Sequence, residues 1–395
     1  MTRVLTAYTN ETDDVEAAVS EILSQLDLSR LLKFSAGIMY YYPDFAETGV
    51  TKQLSEKLPF PVVGGTTSNS AVRGSKEDIT LTISVFTSDT IAFSVGISDP
   101  LSGEPFMLLE KFYKKLIEGK PADSDIAFGD KPAMLHLVVP NLFEITGDDY
   151  LAVFNSLSGG VPIFGAAAFT NMADFTNIKT FFNGVEYDDA AVVLAFWGDM
   201  APHFFISDVP KEGVINQKAV ITDSYRNRIK RINGIPALEY MESIGLAKNG
   251  TMYGMASCPV IINVPGGSRL VRTILSAENG ELLCSGIVPS HLVMEIFICD
   301  RGFVMKSAQK TAIECRKWLE SRDFTGAQMA LVISCAARRW TLGSDVYAEI
   351  REIDKGLKDL PYHFVYTRGE FCPVHVGNSE TVNFFYNFTL GICII

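Results

Sequence analysis

The sequence predicts an α+β fold, in which mixed, largely antiparallel sheets are covered by helices in a layered sandwich of two domains. Short apolar segments alternate with helical patterns, the order helix–strand–helix–strand occurs three times, and β-rich segments follow each occurrence. The first two copies lie roughly 100 residues apart, a period too long for a solenoid and typical of duplicated half-domains. Crossovers between parallel strands, combined with antiparallel segments, predict mixed sheets.

Each copy begins with a helical pattern that has apolar residues at i, i+3, i+4 and i+7, the spacing of one buried helix face. These helices are predicted at 14–26, 106–119 and 307–320. Each is followed by a strand, a second helix and a second strand, at 34–42, 45–58 and 59–70 in the first copy, 134–142, 148–159 and 160–171 in the second, and 330–338, 346–360 and 361–374 in the third. Paired β segments are predicted at 79–98 and 190–207, and a final β segment at 384–395.

A different segment separates the second and third copies. It predicts a strand, a turn at Asn233–Gly234, a helix opened by Pro236, a hairpin around the Asn279–Gly280 turn and a further strand near 292–300. We therefore predict a domain of residues 1–208 with two copies, and a domain of residues 209–395 with this insertion and the third copy.

Composition excludes several classes of function. The chain has 395 residues, of which 47% are hydrophobic, and a formal net charge of −12, which disfavours nucleic acid and anionic membranes as partners. The first residues lack the apolar segment of a signal peptide, and the apolar runs are too short for a membrane helix. Seven cysteines without a CxxC pair favour a reduced, cytoplasmic location.

One candidate site is the turn Gly64, Gly65, Thr66 and Thr67, which follows a predicted strand. Glycines allow a ligand to approach the backbone, and hydroxyls supply neutral hydrogen bonds. No Gly-Lys-Ser/Thr follows, so the turn is not a P-loop. An ordinary strand-to-loop turn explains the same residues equally well.

A second candidate follows the first strand of the third copy. Cys335 would be a nucleophile only with a base nearby, and a buried structural thiol is the commoner case. Arg338 and Arg339 come just after the strand's C-terminal end, where open α/β sheets place ligands, and a guanidinium suits a carboxylate. We expect Arg338 to contact the ligand and Arg339 to be a surface residue.

Further candidates are Arg368 and Glu370, which flank Gly369 and together match the carboxyl and amino groups of an amino acid, although they could also form structural ion pairs. Arg272 is a weaker candidate within a strand, and Asn387 either orients the Glu370 loop or contacts ligand. The histidines and acidic residues show no metal-binding spacing, so we expect neither a metal nor a cofactor.

The motifs of this sequence resemble those of the FIST family, two-domain proteins of intracellular signal transduction. They are "VVGGTTSNS", "TFFNGVEYDDAAVVLAF", "SYRNRIKRINGIPALEYM", "ISCAARRWTLG", "VYTRGEFCPV" and "FFYNFTLGICII", in this order. The sequence departs from the family at Gly65, where a cysteine is usual, and at "SNS", which replaces Ala-Gly-Glu. The resemblance implies a FIST N-type domain followed by a FIST C-type domain, small-ligand sensing with amino acids as the ligand class, and partners such as kinases, chemoreceptors or diguanylate cyclases.

The function predicted from the sequence is therefore sensory binding of an amino acid or similar small carboxylate, with a signal passed to a protein partner. Two alternatives remain: a hydrolase or transferase that uses Cys335 with Arg338 as anion stabiliser, and a protein-interaction platform without a ligand. We regard an enzyme as the less favoured interpretation. A Cys335 thiolate that reacts at neutral pH would favour the enzyme, and the lack of an enclosed polar pocket would favour the platform.

Overall fold

A computed structural model describes residues 1–75, 77–142, 145–170, 177–207, 209, 213–215, 218–264, 269–321, 328–376 and 380–395. Helices and strands of mixed sheets alternate along these ranges, which confirms the predicted α+β class.

The first copy has the predicted order of elements, with one break in a helix. Gly49 has φ +85°, a left-handed conformation that glycine adopts without strain, and it divides the helix predicted at 45–58 into two. The elements are β1 (Thr2–Thr9), α1 (Val15–Gln25), β2 (Phe34–Tyr41), α2 (Asp44–Glu47), α3 (Val50–Lys57), β3 (Val62–Thr66), β4 (Ser70–Val72), β5 (Leu81–Ser88) and β6 (Ala92–Ile97).

The second copy repeats this order. Its second helix begins with a capping box, in which the Thr146 backbone N–H and the Asp149 carboxylate are 2.7 Å apart. The elements are α4 (Pro105–Glu118), β7 (Met134–Val139), α5 (Gly147–Ser158), β8 (Ile163–Ala167), β9 (Thr180–Phe182), β10 (Val185–Tyr187), β11 (Val192–Trp197) and β12 (His203–Ile206).

The insertion folds into a sheet of its own, which we call the cap (residues 218–296). The Asn233–Gly234 turn, the helix after Pro236 and the hairpin at Asn279–Gly280 all form as predicted. The elements are β13 (Ala219–Tyr225), β14 (Arg228–Ile232), β15 (Ile235–Pro236), α6 (Ala237–Ser243), β16 (Ala247–Lys248), β17 (Thr251–Met252), β18 (Val260–Asn263), β19 (Arg269–Arg272), β20 (Ile274–Glu278), β21 (Glu281–Cys284) and β22 (Leu292–Ile296).

The third copy adds one helix that the sequence did not predict, directly after its first strand. The elements are α7 (Arg301–Glu320), β23 (Ala330–Cys335), α8 (Ala336–Leu342), α9 (Ala348–Leu357), β24 (Tyr362–Thr367), β25 (Glu370–Val376), β26 (Glu380–Tyr386) and β27 (Leu390–Ile394). We call the three copies together the body.

Each copy contributes one parallel strand pair to a mixed sheet. The pairs are β2 with β3, β7 with β8, and β23 with β24, and antiparallel strands flank them. The sheets have the orders β1-β5-β2-β3-β9-β10, β6-β11-β7-β8-β25-β26 and β12-β27-β23-β24-β4. The threefold repeat predicted from the sequence is thus a threefold repeat of sheets.

The three sheets exchange strands in cyclic order. The strands that follow each parallel pair join the sheet of another copy, so β9 and β10 extend the first sheet, β25 and β26 the second, and β4 the third. The prediction that segments 79–98 and 190–207 form pairs is wrong, because β5 and β6 lie in different sheets, as do β11 and β12. Alternation of apolar residues identifies a strand but not the strand beside it.

Three polar side chains, one from each sheet, meet at the centre of the body: Tyr40 on β2, His136 on β7 and His363 on β24. The Tyr40 hydroxyl and His136 Nε2 are 2.9 Å apart, and the Tyr40 and His363 rings meet edge to face with centroids 5.6 Å apart. Thr82 and Ser84 each place a hydroxyl 2.8 Å from a His363 ring nitrogen. Burial lowers the pKa of His136 to about 4 and that of His363 to about 3, so both rings are neutral at pH 7.

The domain boundary at 208 stays a prediction, and residue 208 lies outside the described residues. Two of the sheets contain strands from both sides of it, since β12 pairs with β27 and β8 with β25.

Candidate functional site

Two adjoining chambers lie between the cap and the ends of the strands of the second and third copies. Both chambers are small and open to solvent. Arg368, Leu275 and Ser285 line both. Further residues of the polar chamber include Asn141, Thr146, Tyr150 and Asn227, and further residues of the apolar chamber include Phe169, Thr273, Cys335, Ala336, Ala337, Trp340 and Asn387.

Arg368 is the candidate residue that the structure places in the wall shared by the two chambers. It directly follows β24, and its backbone N–H donates to the Ala167 carbonyl at the end of β8. Its guanidinium donates to the Asn141 side-chain oxygen, so the ends of the second and third copies meet here. Burial lowers the pKa of Arg368 to about 10, opposed by Cys335, and the side chain remains a cation at pH 7.

Cys335 lines the apolar chamber, but its surroundings oppose thiolate formation. Burial raises the pKa of the Cys335 thiol well above its ordinary value, and the neighbouring Glu370 carboxyl raises it further. Nucleophilic cysteines need the opposite, a positively charged surrounding that lowers the pKa. Burial and the neighbouring carboxyl therefore disfavour Cys335 as a nucleophile.

Glu370 lies behind the apolar chamber, outside the lining formed by the described residues. Its side chain is fully buried, and the Thr367 hydroxyl donates to its Oε1 atom at 3.3 Å. Burial raises the pKa of Glu370 well above its ordinary value. Gly369 turns the chain with φ +91° as expected, but the turn sends Arg368 and Glu370 to different places. Arg368 therefore lines the two chambers without Glu370 beside it, and joint binding of one ligand by this pair stays a prediction.

Asn387 lines the apolar chamber and connects the body with the cap. Its side-chain oxygen accepts from the Ser285 hydroxyl, and its amide donates to the Tyr386 carbonyl at 2.8 Å. Either role predicted for Asn387, orienting a loop or contacting a ligand, is compatible with this position.

Arg338 and Arg339 do not occupy the positions that their place in the sequence predicts. Arg338 is fully buried away from both chambers, and its Nη2 atom lies 2.5 Å from a carboxylate oxygen of the equally buried Glu349 and 2.9 Å from the Ser307 hydroxyl. Glu349, rather than a ligand, thus supplies the carboxylate partner of Arg338. Arg339 is not a surface residue, since it is 8% exposed and lies 3.7 Å from Asp78. Both arginines follow β23 within α8, which turns them away from the cleft.

Arg272 ties the cap to the body. It is 1% exposed, and its Nη2 atom lies 2.7 Å from the Asp148 carboxylate at the start of α5. The same guanidinium donates to the carbonyl oxygens of Ile287 at 2.9 Å and Phe385 at 3.1 Å. A second ion pair, between Arg226 and the Asp149 carboxylate at 2.6 Å, lies beside it. These contacts give Arg272 a structural role.

The residues Gly64, Gly65, Thr66 and Thr67 are buried and do not line either chamber. A Cβ atom on Gly64 would lie 1.7 Å from the Met39 carbonyl oxygen, and one on Gly65 would lie 2.7 Å from that of Lys179. The glycines are thus required by close strand packing, and the Thr67 hydroxyl donates to the Tyr366 carbonyl at 2.6 Å. The interpretation as an ordinary structural turn agrees with this geometry, and a ligand role for the four residues has no support from it.

Comparison with protein families agrees with the fold and the order of the motifs. The FIST N domain matches residues 35–235, and the FIST C domain matches residues 237–373. The chain belongs to the FIST family. FIST domains are associated with sensory functions in signal transduction. No curated protein matches this FIST chain.

Several residues of the FIST cleft were not identified from the sequence. Asn141, Phe169 and Trp340 follow strand ends of the second and third copies, as Arg368 does. An alignment of the three copies at their strand ends would have found them. Thr273 lies in the cap, which has no counterpart in the repeat, so no pattern in the sequence indicates it.

The described part of this FIST chain contains no group of three or more His, Cys, Asp or Glu side chains arranged for a metal ion. None of the helices in the described ranges is both long and apolar enough to cross a membrane.

Proposed function

We propose that this FIST protein senses a small carboxylate, an amino acid or similar acid, by binding it in the cleft between cap and body. The single observation that carries the proposal is the position of Arg368, which lines both chambers of the cleft. A guanidinium presents a planar fork of donors that matches a carboxylate, and partial burial strengthens such a bond relative to bulk water.

A ligand in this cleft would contact both parts of the protein. Leu275 and Ser285 belong to the cap, whereas Arg368 and Trp340 belong to the body. A ligand that contacts both sides binds better when the cap is docked, and it shifts the population of cap positions only by this difference in affinity. A tenfold difference corresponds to about 1.4 kcal/mol. The position of the cap would then be the signal.

The recipient of the signal is proposed to be a protein partner such as a kinase, a chemoreceptor or a diguanylate cyclase, which is the context implied by the family. A cytoplasmic location is part of the same proposal. It is supported by the seven cysteines, all of which are free and buried.

The proposal is tested by a thermal-shift screen of amino acids and short carboxylates on the wild type and on Arg368→Gln. A ligand that binds only the folded state raises the melting temperature, by about 2.7 kcal/mol of stabilisation at one hundred times Kd. We expect a shift in the wild type that is lost in Arg368→Gln. The matched control is Arg351→Gln, which removes an exposed arginine paired with Asp345 and must keep the shift.

Absence of a shift with every compound would contradict ligand sensing and favour the interaction platform. A shift that survives in Arg368→Gln would place the ligand elsewhere.

A further inference from the structure

We infer that the ligand of the cleft is a carboxylate with an apolar substituent, and that this substituent occupies the apolar chamber. The inference rests on the proposed function, because it assumes that Arg368 binds a carboxylate, and it adds the class of side group that the cleft selects. Leucine-like amino acids and the corresponding free acids share this chemistry.

The apolar chamber presents hydrocarbon from both sides of the cleft. Ala336, Ala337 and the rings of Phe169 and Trp340 come from the body, and Leu275 comes from the cap. The two rings meet edge to face, with centroids 5.8 Å apart and an interplanar angle of 66°. Trp340 remains 40% exposed, so its ring has surface left to contact a ligand. An apolar group placed here removes hydrocarbon from water on the ligand and on the protein.

Thr273 provides an independent indication that a ligand belongs in this chamber. The residue lines the chamber and is 3% exposed, and its hydroxyl has no hydrogen-bond partner among the described residues. Buried hydroxyl groups in folded proteins are normally hydrogen-bonded, so an exception of this kind points to a missing partner.

The polar chamber would hold the polar groups that the ligand has in addition to its apolar substituent. Asn141, Asn227 and Ser285 supply amide and hydroxyl groups there, on the other side of Arg368. A small polar substituent next to the carboxylate, such as an amino group, would be directed to this side. The side chain of the ligand would be directed to the rings.

The test compares four ligands by isothermal titration calorimetry: 4-methylpentanoate and leucine, which differ only in the amino group, and glutarate and glutamate, which differ in the same way. Each apolar compound is expected to bind at least tenfold more tightly than its polar counterpart. Either order between leucine and 4-methylpentanoate supports the inference, and it identifies whether the free acid or the amino acid is preferred.

Equal or tighter binding of glutarate or glutamate would overturn the inference. If that binding is lost in Arg368→Gln, the proposed function stands and only the ligand class is wrong. If none of the four compounds binds, the inference fails, and the proposed function fails with it only if the thermal-shift screen also finds no ligand.

Two variants test the chamber directly. Trp340→Ala is expected to reduce the preference for 4-methylpentanoate over glutarate at least fivefold, and Thr273→Val to weaken the binding of 4-methylpentanoate at least fivefold. The matched control is Tyr253→Ala, which removes a 52% exposed aromatic side chain of the cap outside the described lining of both chambers, and must leave the preference unchanged. A preference that is unchanged in a folded Trp340→Ala protein, checked by circular dichroism, would also overturn the inference.

Discussion

Replacement of Arg338 by methionine is expected to destabilise the protein strongly without removing its ligand site. Arg338 and Glu349 are both fully buried and 2.5 Å apart, and the variant leaves the Glu349 carboxylate without its counter-charge. Loss of one partner of a buried ion pair typically costs 3–5 kcal/mol, because the remaining charge stays desolvated. The hydroxyls of Ser334 and Tyr366 still donate to Glu349, at 2.9 and 3.1 Å, so we expect about 3 kcal/mol, the lower end.

The assay is urea denaturation of the wild type, of Arg338→Met, and of the double variant Arg338→Met/Glu349→Leu. The double variant replaces the buried pair by apolar side chains of similar size, so most of the lost stability is expected to return. A carboxylate that raises the melting temperature of the wild type is expected to raise that of folded Arg338→Met equally. A variant with wild-type stability that no longer responds to the carboxylate would refute this reasoning and make Arg338 the ligand anchor.

Three further predictions concern other contacts. Thr273→Val is expected to raise the free energy of unfolding by about 1 kcal/mol in the absence of ligand, because it removes a buried hydroxyl that has no partner among the described residues. Urea denaturation measures this change, and a loss of stability would contradict the prediction. Asp148→Asn leaves the buried Arg272 without its ion pair, so hydrogen exchange in cap residues 269–285 should become faster, and unchanged exchange would show that this pair does not hold the cap. His136 and His363 have folded-state pKa values below the ordinary value of about 6.5, so the unfolded chain binds more protons and stability falls as the pH decreases from 6.5 towards 4. Each histidine is expected to contribute a loss of about 2 kcal/mol between pH 7.5 and 5, and a urea midpoint with the same pH dependence in His136→Gln would contradict this.

The sequence predicted the local elements of the fold but not how the sheets assemble. The three parallel pairs follow from apolar runs joined by a helical crossover, and short connections of this kind leave few arrangements. The cyclic exchange of strands has no local signature, because β9 and β25 would satisfy the same pattern beside any neighbour. Helix α8 was also missed, since it contains only seven residues and its periodicity is too short to recognise.

The candidate site was predicted in part, and the arginines show why. Arg338 and Arg368 both follow a strand of the third copy, and sequence position alone does not separate them. Arg338 lies within α8 and reaches Glu349, whereas Arg368 precedes Gly369 and reaches Asn141 of the second copy. Long-range contacts of this kind decide which arginine lines a cavity. These contacts depend on how the three copies assemble, which the sequence pattern does not specify.

The most direct test of ligand binding between cap and body is hydrogen–deuterium exchange with and without 4-methylpentanoate, at a concentration that saturates the thermal shift. If the cleft closes on the ligand, residues 273–285 of the cap and 335–342 of the body are expected to become protected together, and Arg368→Gln is expected to abolish both effects. Protection on one side alone, or at a site remote from both segments, would contradict binding of the ligand in this cleft.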